Sequence, residues 1–366
     1  MEKTWYASPA QAQQSAERWA ASVDRAGKVG SVHHTVPRFY LKNFSGHKGQ
    51  LLVRDRETGT ASVRKIDDLG ITDFYTFLAQ DGEYDSSMEE ALALVEGPAS
   101  KVFSKLLSPF QGPGSLSGAD LATLAQFLSF QLVRGPRRRR ESELLADLYV
   151  KIRAGSILSD EDRRDLRVIP HQNEHIRLLG RLAESLYPHL LGWPVTVINL
   201  DKPLLLTCDE PVVVDVGDDW VNHLPECGRT RQQAARDERR SRKRGKEHRT
   251  IIHLYPSRPS GLELADGIVL PLTPRSILCL GRVEAEHGSI LRLTGADAQE
   301  AAATLNEQLI SNAFGWVASH PQHPSFRTLE FPPVGNLISL CDGRSVMSRE
   351  LQKPPSPRRP TRIRKN

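Results

Sequence analysis

The chain has 366 residues, with 49 Lys and Arg against 44 Asp and Glu, a formal charge of +5. Its 39% hydrophobic and 25% charged residues supply enough apolar material for a core, which excludes a globally disordered chain. No apolar run approaches the roughly 18 residues of a membrane-spanning helix, and Met1 to Ala10 lacks the apolar block of a secretory leader.

Residues 1–30 are polar and alanine-rich and read as a flexible arm. Informative sequence begins with Val32-His33-His34-Thr35-Val36-Pro37-Arg38-Phe39-Tyr40-Leu41. Leu51 to Arg54 and Ala61 to Arg64 then predict a hairpin, its turn containing Glu57-Thr58-Gly59, where glycine supplies positive φ. A helix is predicted from Ser87, with Met88, Leu92, Val95, Ala99, Val102 and Leu106 as its apolar stripe. Ser86 and Ser87 stand three residues before Glu89 and Glu90, the spacing of a capping box. Gly97-Pro98 is expected to kink or split that helix, because proline removes a backbone donor.

A second helix is predicted over Gly118 to Arg134, capped by Ser117, with Leu121, Leu124, Ala125, Leu128 and Leu132 facing inward. Gly135-Pro136 stops it. Helical pattern resumes over Arg139 to Arg153 and Gln172 to Leu186. From Trp193 the pattern changes. Val195 to Leu200, Leu204 to Thr207 and Val212 to Val216 read as strands, followed by Ile268 to Leu270 and Ser276 to Leu280. Asp297 to Asn312 reads as one late helix, and Phe314 to Val317 as a last short strand. Segregated elements predict an α+β fold: a small hairpin, a central helical block, then a β-rich half. The expected division is one α+β domain over 31–330, with a basic insertion at 226–249 and an extension over 331–366 that ends in a disordered tail.

The net charge is unevenly placed. Residues 229–249 carry ten basic residues against Asp237, Glu238 and Glu247, a local +7, and 351–366 carry +6 with no acid. The remainder is therefore acidic, near −8. Arg239, Arg240, Arg242, Lys243 and Arg244 are the centre of the first cluster. Such clusters attract phosphate backbones without reading sequence. Segments 229–249 and 353–365 are thus expected to recruit nucleic acid or an acidic protein. Cys208, Cys227, Cys279 and Cys341 form no CxxC pair, which fits scattered thiols in a reducing cytoplasm.

His33-His34-Thr35-Val36-Pro37-Arg38 is the most suggestive string for chemistry, since imidazole serves as ligand, acid or base near neutral pH. It is similar to the first histidine block of HNH nucleases, but the second histidine and the cysteines of such a site are missing; packing is the simpler role. Glu89 and Glu96 lie seven apart along one helix edge, where two carboxylates could hold a divalent cation or share a proton. Glu96 is favoured because Pro98 disturbs the helix beside it; Glu89 also fits a capping role. Arg134 either caps its helix or grips a phosphate or carboxylate, with Gln131 beside it. Asp209, in Thr207-Cys208-Asp209-Glu210-Pro211, could be a base, a ligand or a turn former. Cys208 has no histidine nearby in sequence to activate it. His171 and His175 are one helical turn apart but lack the glutamate of a zinc-protease motif.

His34-Thr-Val-Pro-Arg-Phe-Tyr-Leu-Lys-Asn-Phe44 resembles a large, mostly bacterial family, domain of unknown function 4238. Asp73-Phe74-Tyr75, Glu89 with Glu96, Gln131-Leu-Val-Arg134-Gly-Pro136, Leu206-Thr-Cys-Asp209-Glu-Pro211, Pro271-Leu-Thr-Pro274 and Leu305-Asn306 follow in the family's order over roughly residues 31 to 320. The chain departs from the family pattern at Gly135 for Thr, Cys208 for Ser and Glu210 for Asn. The resemblance implies a fold unit and candidate residues, and no activity. The expected site gathers His34, Glu96 and Asp209 as catalytic groups or metal ligands, with Arg38, Gln131 and Arg134 holding substrate. The expected function is a hydrolase, with metal assistance an option, acting on a phosphate ester or nucleic acid. The alternative is a non-catalytic binding protein that works through its basic segments.

Overall fold

A computed structural model describes residues 32–72, 74–78, 84–85, 87–153, 159, 161–162, 168–170, 172–215, 239, 253–256, 262, 265–281, 286–323, 325–332 and 337–341. The N-terminal arm, the basic tail and all of the basic insertion except Arg239 lie outside them.

The chain enters through β1 (Val32–His33) and the short helix α1 (Arg38–Lys42), then makes the hairpin β2 (Gln50–Asp55) and β3 (Ala61–Lys65). Asp55 accepts from the backbone N–H groups of Glu57 and Thr58, and Gly59 has φ 69° at the turn. Short strands β4 (Ile71–Thr72), β5 (Phe77–Leu78) and β6 (Tyr84–Asp85) lead into the helical block. That block comprises α2 (Ser87–Leu106), α3 (Gly118–Val133), α4 (Pro136–Arg153) and α5 (Gln172–Leu190). The rest is β7 (Val195–Leu200), β8 (Thr207–Cys208), β9 (Val213–Asp215), β10 (His253–Pro256), β11 (Gly267–Thr273), β12 (Ser276–Gly281), β13 (Ile290–Leu293), helix α6 (Gly295–Asn312), β14 (Trp316–Ser319) and β15 (Ile338–Cys341). The fold is α+β, with the helices in the middle and the strands mainly in the C-terminal half.

Two sheets organise the core. One has the order β13-β7-β12-β11-β9, antiparallel except for β13 beside β7; the other has the order β3-β2-β14-β8. The N-terminal hairpin is therefore completed by a strand from the far end of the chain, Val317 pairing with Arg54. Side chains alternate across both sheets, as strand geometry requires. Leu51, Val53, Leu278 and Leu280 join the larger core with α2, α3 and α5; Leu52, Ile277, Cys279 and Val317 join a second core under α6. Each sheet thus contributes to both cores, which explains the near-continuous apolar runs of β2, β11 and β12.

Several local expectations need correction. Helix α2 does not split at Gly97-Pro98; it runs unbroken from Ser87 to Leu106. Leu94 and Pro98 are exposed, so the carbonyl that loses its N–H partner faces water and the break is tolerated. Helix α4 begins at Pro136, three residues before the expected start, with proline in the first turn where a missing donor costs nothing. The strand expected at Leu204 to Thr207 forms at Thr207–Cys208 instead. Strand β11 continues through Pro271, beyond the Gly267 to Val269 stretch that pairs with β9. Strands β10 and β15 pair with each other and had no expectation in the sequence. Among the described residues, no helix is long and apolar enough to cross a membrane.

The cap of α3 is as expected. Ser117 accepts from the Asp120 N–H, and the Asp120 carboxylate accepts in return from Ser117 and from Lys105 of α2. Ser117→Ala is expected to lower stability by about 1 kcal/mol, readable as a shift in the urea midpoint at unchanged slope.

Candidate functional site

Four segments bring polar side chains together: the loop after β1, the middle of α2, the end of α3 and the Phe74-Tyr75 turn. The first is fixed by Gln131, whose buried amide donates to the Thr35 carbonyl at 3.1 Å. Gln131 therefore positions the histidine loop, and its Oε1 has no partner among the described residues. His34, next to Thr35, is half-buried and donates to the Ile66 carbonyl. Its Nε2 is buried without a partner among the described residues, so the donor is Nδ1 and the Nε2 lone pair points into the protein. Burial, then the charge of Arg38, lowers its pKa, against the pull of Asp67 and Glu96. At neutral pH His34 is a neutral base.

Arg134 ends α3, but its side chain does not cap the helix. It is 1% exposed and gives Nη1 to Glu96 Oε1 at 2.6 Å, Glu96 being the partner that reaches solvent. Burial works against the guanidinium charge; Glu96, Tyr75 and Glu89 outweigh it and keep the cation. Nε and Nη2, the two nitrogens of its other edge, are buried and without a partner among the described residues. Glu89 lies two helical turns before Glu96 on the same edge of α2. It accepts from the His34 backbone N–H, and burial, reinforced by Glu96, raises its pKa to about 7 despite Arg134. Its Oε2 is buried without a partner among the described residues. Glu89 was legible as a partner of Glu96 from the seven-residue spacing, but its raised pKa was not. Ser86, the expected capping partner of Glu89, lies outside the described residues; Asp85 accepts from the N–H of Ser87.

Tyr75 connects this cluster to a second one. It is fully buried, its hydroxyl donates to the Arg134 carbonyl, and its N–H donates to His33 Nδ1. Burial pushes its phenol well up, and Glu89, Glu96 and Glu210 add to that. Glu210 accepts from the Arg137 N–H at 3.0 Å, and burial and then Asp209 raise its pKa to about 8. A Cβ at Gly135 would lie 2.0 Å from a Glu210 oxygen. Two departures from the family pattern are therefore in contact, and the Glu210 carboxyl occupies the space of a side chain at 135.

Asp209 does not join the cluster. Its oxygens accept from the N–H groups of Phe314 and Gly315, tying β8 to the end of α6; burial raises its pKa to about 6 against those bonds. Among the described residues no group of three or more His, Cys, Asp and Glu is placed to hold a metal ion, so His34, Glu96 and Asp209 do not make one centre. Arg38 sits at the rim, exposed and paired with Asp67. Cys208 is buried, and burial holds its thiol well up, away from nucleophilic use. His175 packs on Phe74, with burial lowering its pKa to about 4; its expected partner His171 lies outside the described residues. Arg137 to Arg140 pair with Glu141 and Glu143 on their own helix. Arg239 is exposed, and Arg240, Arg242, Lys243 and Arg244 lie outside the described residues.

The residues that build the cluster all fall in one matched stretch. The sequence matches the family described as protein of unknown function, DUF4238, over residues 32–235, more than half of the chain. The chain belongs to that family. No curated protein and no solved structure matches it. The matched stretch includes His34, Glu89, Glu96, Arg134 and Glu210, while β14, which completes the hairpin sheet, lies beyond it.

Proposed function

We propose that this DUF4238 chain is a hydrolase of phosphate esters, nucleic acid included, working by general acid–base catalysis at the His34–Glu89–Glu96–Arg134 cluster. The observation that carries the reading is Glu89. Its carboxyl has a pKa of about 7, with one buried oxygen unpartnered, next to a neutral imidazole and a buried guanidinium. Groups poised near the working pH make the most effective acids and bases. In this reading His34 Nε2 takes a proton from the attacking water as the new P–O bond forms. Glu89 gives its proton to the ester oxygen that leaves, and Arg134 balances the charge on the phosphoryl oxygens. Glu96 holds the guanidinium in place. The basic segments 229–249 and 353–365 add non-specific attraction for phosphate backbones.

The test is a panel of bis(p-nitrophenyl) phosphate, p-nitrophenyl phosphate and single- and double-stranded nucleic acids, each with and without added Mg²⁺ or Mn²⁺. Wild type should turn over at least one member. His34→Ala and Glu89→Gln should each lose about 100-fold or more, and the loss of rate above pH 7 should be absent in residual Glu89→Gln activity. Equal turnover by all three proteins, or none by any, would leave the cluster as a polar network in a non-catalytic binding protein.

A further inference from the structure

The free edge of Arg134 has a shape that selects a ligand. A guanidinium presents two N–H groups in parallel along its Nε/Nη2 side, a fork that matches two oxygens on one phosphorus or carbon. In Arg134 that fork is the part without a partner among the described residues, while the remaining nitrogen grips Glu96. The side chain is 1% exposed, and a buried donor pair left without acceptors costs free energy that a bound oxyanion would recover.

Charge narrows the choice. Arg134 is already balanced by Glu96, and His34 is neutral, so the cluster offers no surplus positive charge. A dianion would bring two uncompensated charges into a poorly solvated site; a monoanion brings one. The groups facing Glu89 are Glu96 on its own helix, Arg134 from α3, the His34 N–H from the loop after β1, and Tyr75. An ionised Glu89 would stand against the incoming anion, whereas a protonated one can donate to it.

Resting on the hydrolase reading above, we infer that the Nε/Nη2 fork of Arg134 seats the two non-bridging oxygens of a phosphodiester monoanion, with Glu89 protonated and facing an ester oxygen. The substrate class is then a phosphodiester rather than a phosphate monoester, and binding takes up a proton wherever free Glu89 is ionised.

Dimethyl phosphate is the probe, because it stays a monoanion across the neutral range; sulfate, a dianion there, is the control. Affinities are measured on the full chain by ³¹P line broadening for the diester and by its displacement for sulfate. Dimethyl phosphate should bind with constant affinity below about pH 6.5 and weaken about tenfold per pH unit well above 7, one proton being linked. Sulfate should bind at least about tenfold more weakly, one further charge being placed in the site. Glu89→Gln should keep the affinity and lose the pH dependence. Arg134→Lys, which keeps the charge and removes the fork, should lose binding about tenfold or more. Should that variant not fold, the Glu89→Gln profile still decides. Sulfate binding as tightly as the diester, or an unchanged pH profile in Glu89→Gln, overturns the inference. Diester binding with the expected profile but no turnover on the panel sinks the catalytic reading alone. Turnover that needs Glu89 without such binding sinks the seat alone.

Discussion

Gly135→Ala is expected to destabilise the protein by about 3 kcal/mol, the upper range for overpacking a closed site. The glycine is not needed for its backbone, since its φ is not among the positive values that favour glycine. It is needed for space: an added Cβ would meet the two Glu210 oxygens at 2.0 and 2.2 Å. The carboxyl is the far end of a flexible side chain, but it is 6% exposed and accepts from the Arg137 N–H, so moving it breaks that bond inside the core. The collision predicts its own rescue. Shortening the neighbour in Glu210→Asn should make room, so Gly135→Thr combined with Glu210→Asn should be more stable than Gly135→Thr alone. A double-mutant cycle by urea unfolding measures the coupling. Additive effects would show that the two positions do not compete for one space.

That pair also shows where sequence reading stops. Helices α2 and α3 were legible because their cores repeat at helical spacing and because Ser117 and Asp120 announce a cap within four residues. His34, Glu96 and Arg134 were legible as candidates because each sits in a local string with unusual chemistry. Their meeting was not, since it depends on how α2, α3 and the loop after β1 pack. The separate places of Asp209 and Glu210 were not legible, for a geometric reason. Neighbouring residues near a strand end point to opposite sides, and which of them meets the backbone amides of Phe314 and Gly315 is set by β14, more than a hundred residues later. Tyr75 was legible only as part of the family-like string Asp73-Phe74-Tyr75, and its role comes from the Arg134 carbonyl that accepts from its hydroxyl. Gly135, noted as a departure, had no visible reason until the neighbour that fills its space was placed.

Between pH 6.5 and 8 the protein is expected to lose stability as pH rises, and Glu210 is expected to be the main source. The sign follows from where each group keeps its proton. Glu210 has an ordinary value of 4.5 and about 8 in the fold, raised by burial and by Asp209. Below its ordinary value both states are protonated and there is no penalty. As pH rises between the two values, the unfolded chain releases the proton while the fold retains it, so the fold loses ground until pH passes 8. The full span corresponds to at most about 5 kcal/mol, with about 2 kcal/mol falling between pH 6.5 and 8. Glu89 acts in the same direction up to about 7, whereas Asp209, at about 6, is complete before the window opens. The histidines offset part of this at the lower end of the window, where the unfolded chain's imidazoles still shed protons that the buried His34, His175, His287 and His323 do not hold, by at most about 0.4 kcal/mol each. His175, lowered to about 4 by burial, and His34 favour the fold above their ordinary 6.5 and lose that contribution only as pH falls. Glu210→Gln keeps an oxygen for the Arg137 N–H and removes the titration. Urea midpoints at pH 6.5, 7.2 and 8 should therefore fall in wild type and change much less in Glu210→Gln. Equal slopes for the two proteins would mean that the buried carboxyl beside Gly135 is not what couples this fold to pH.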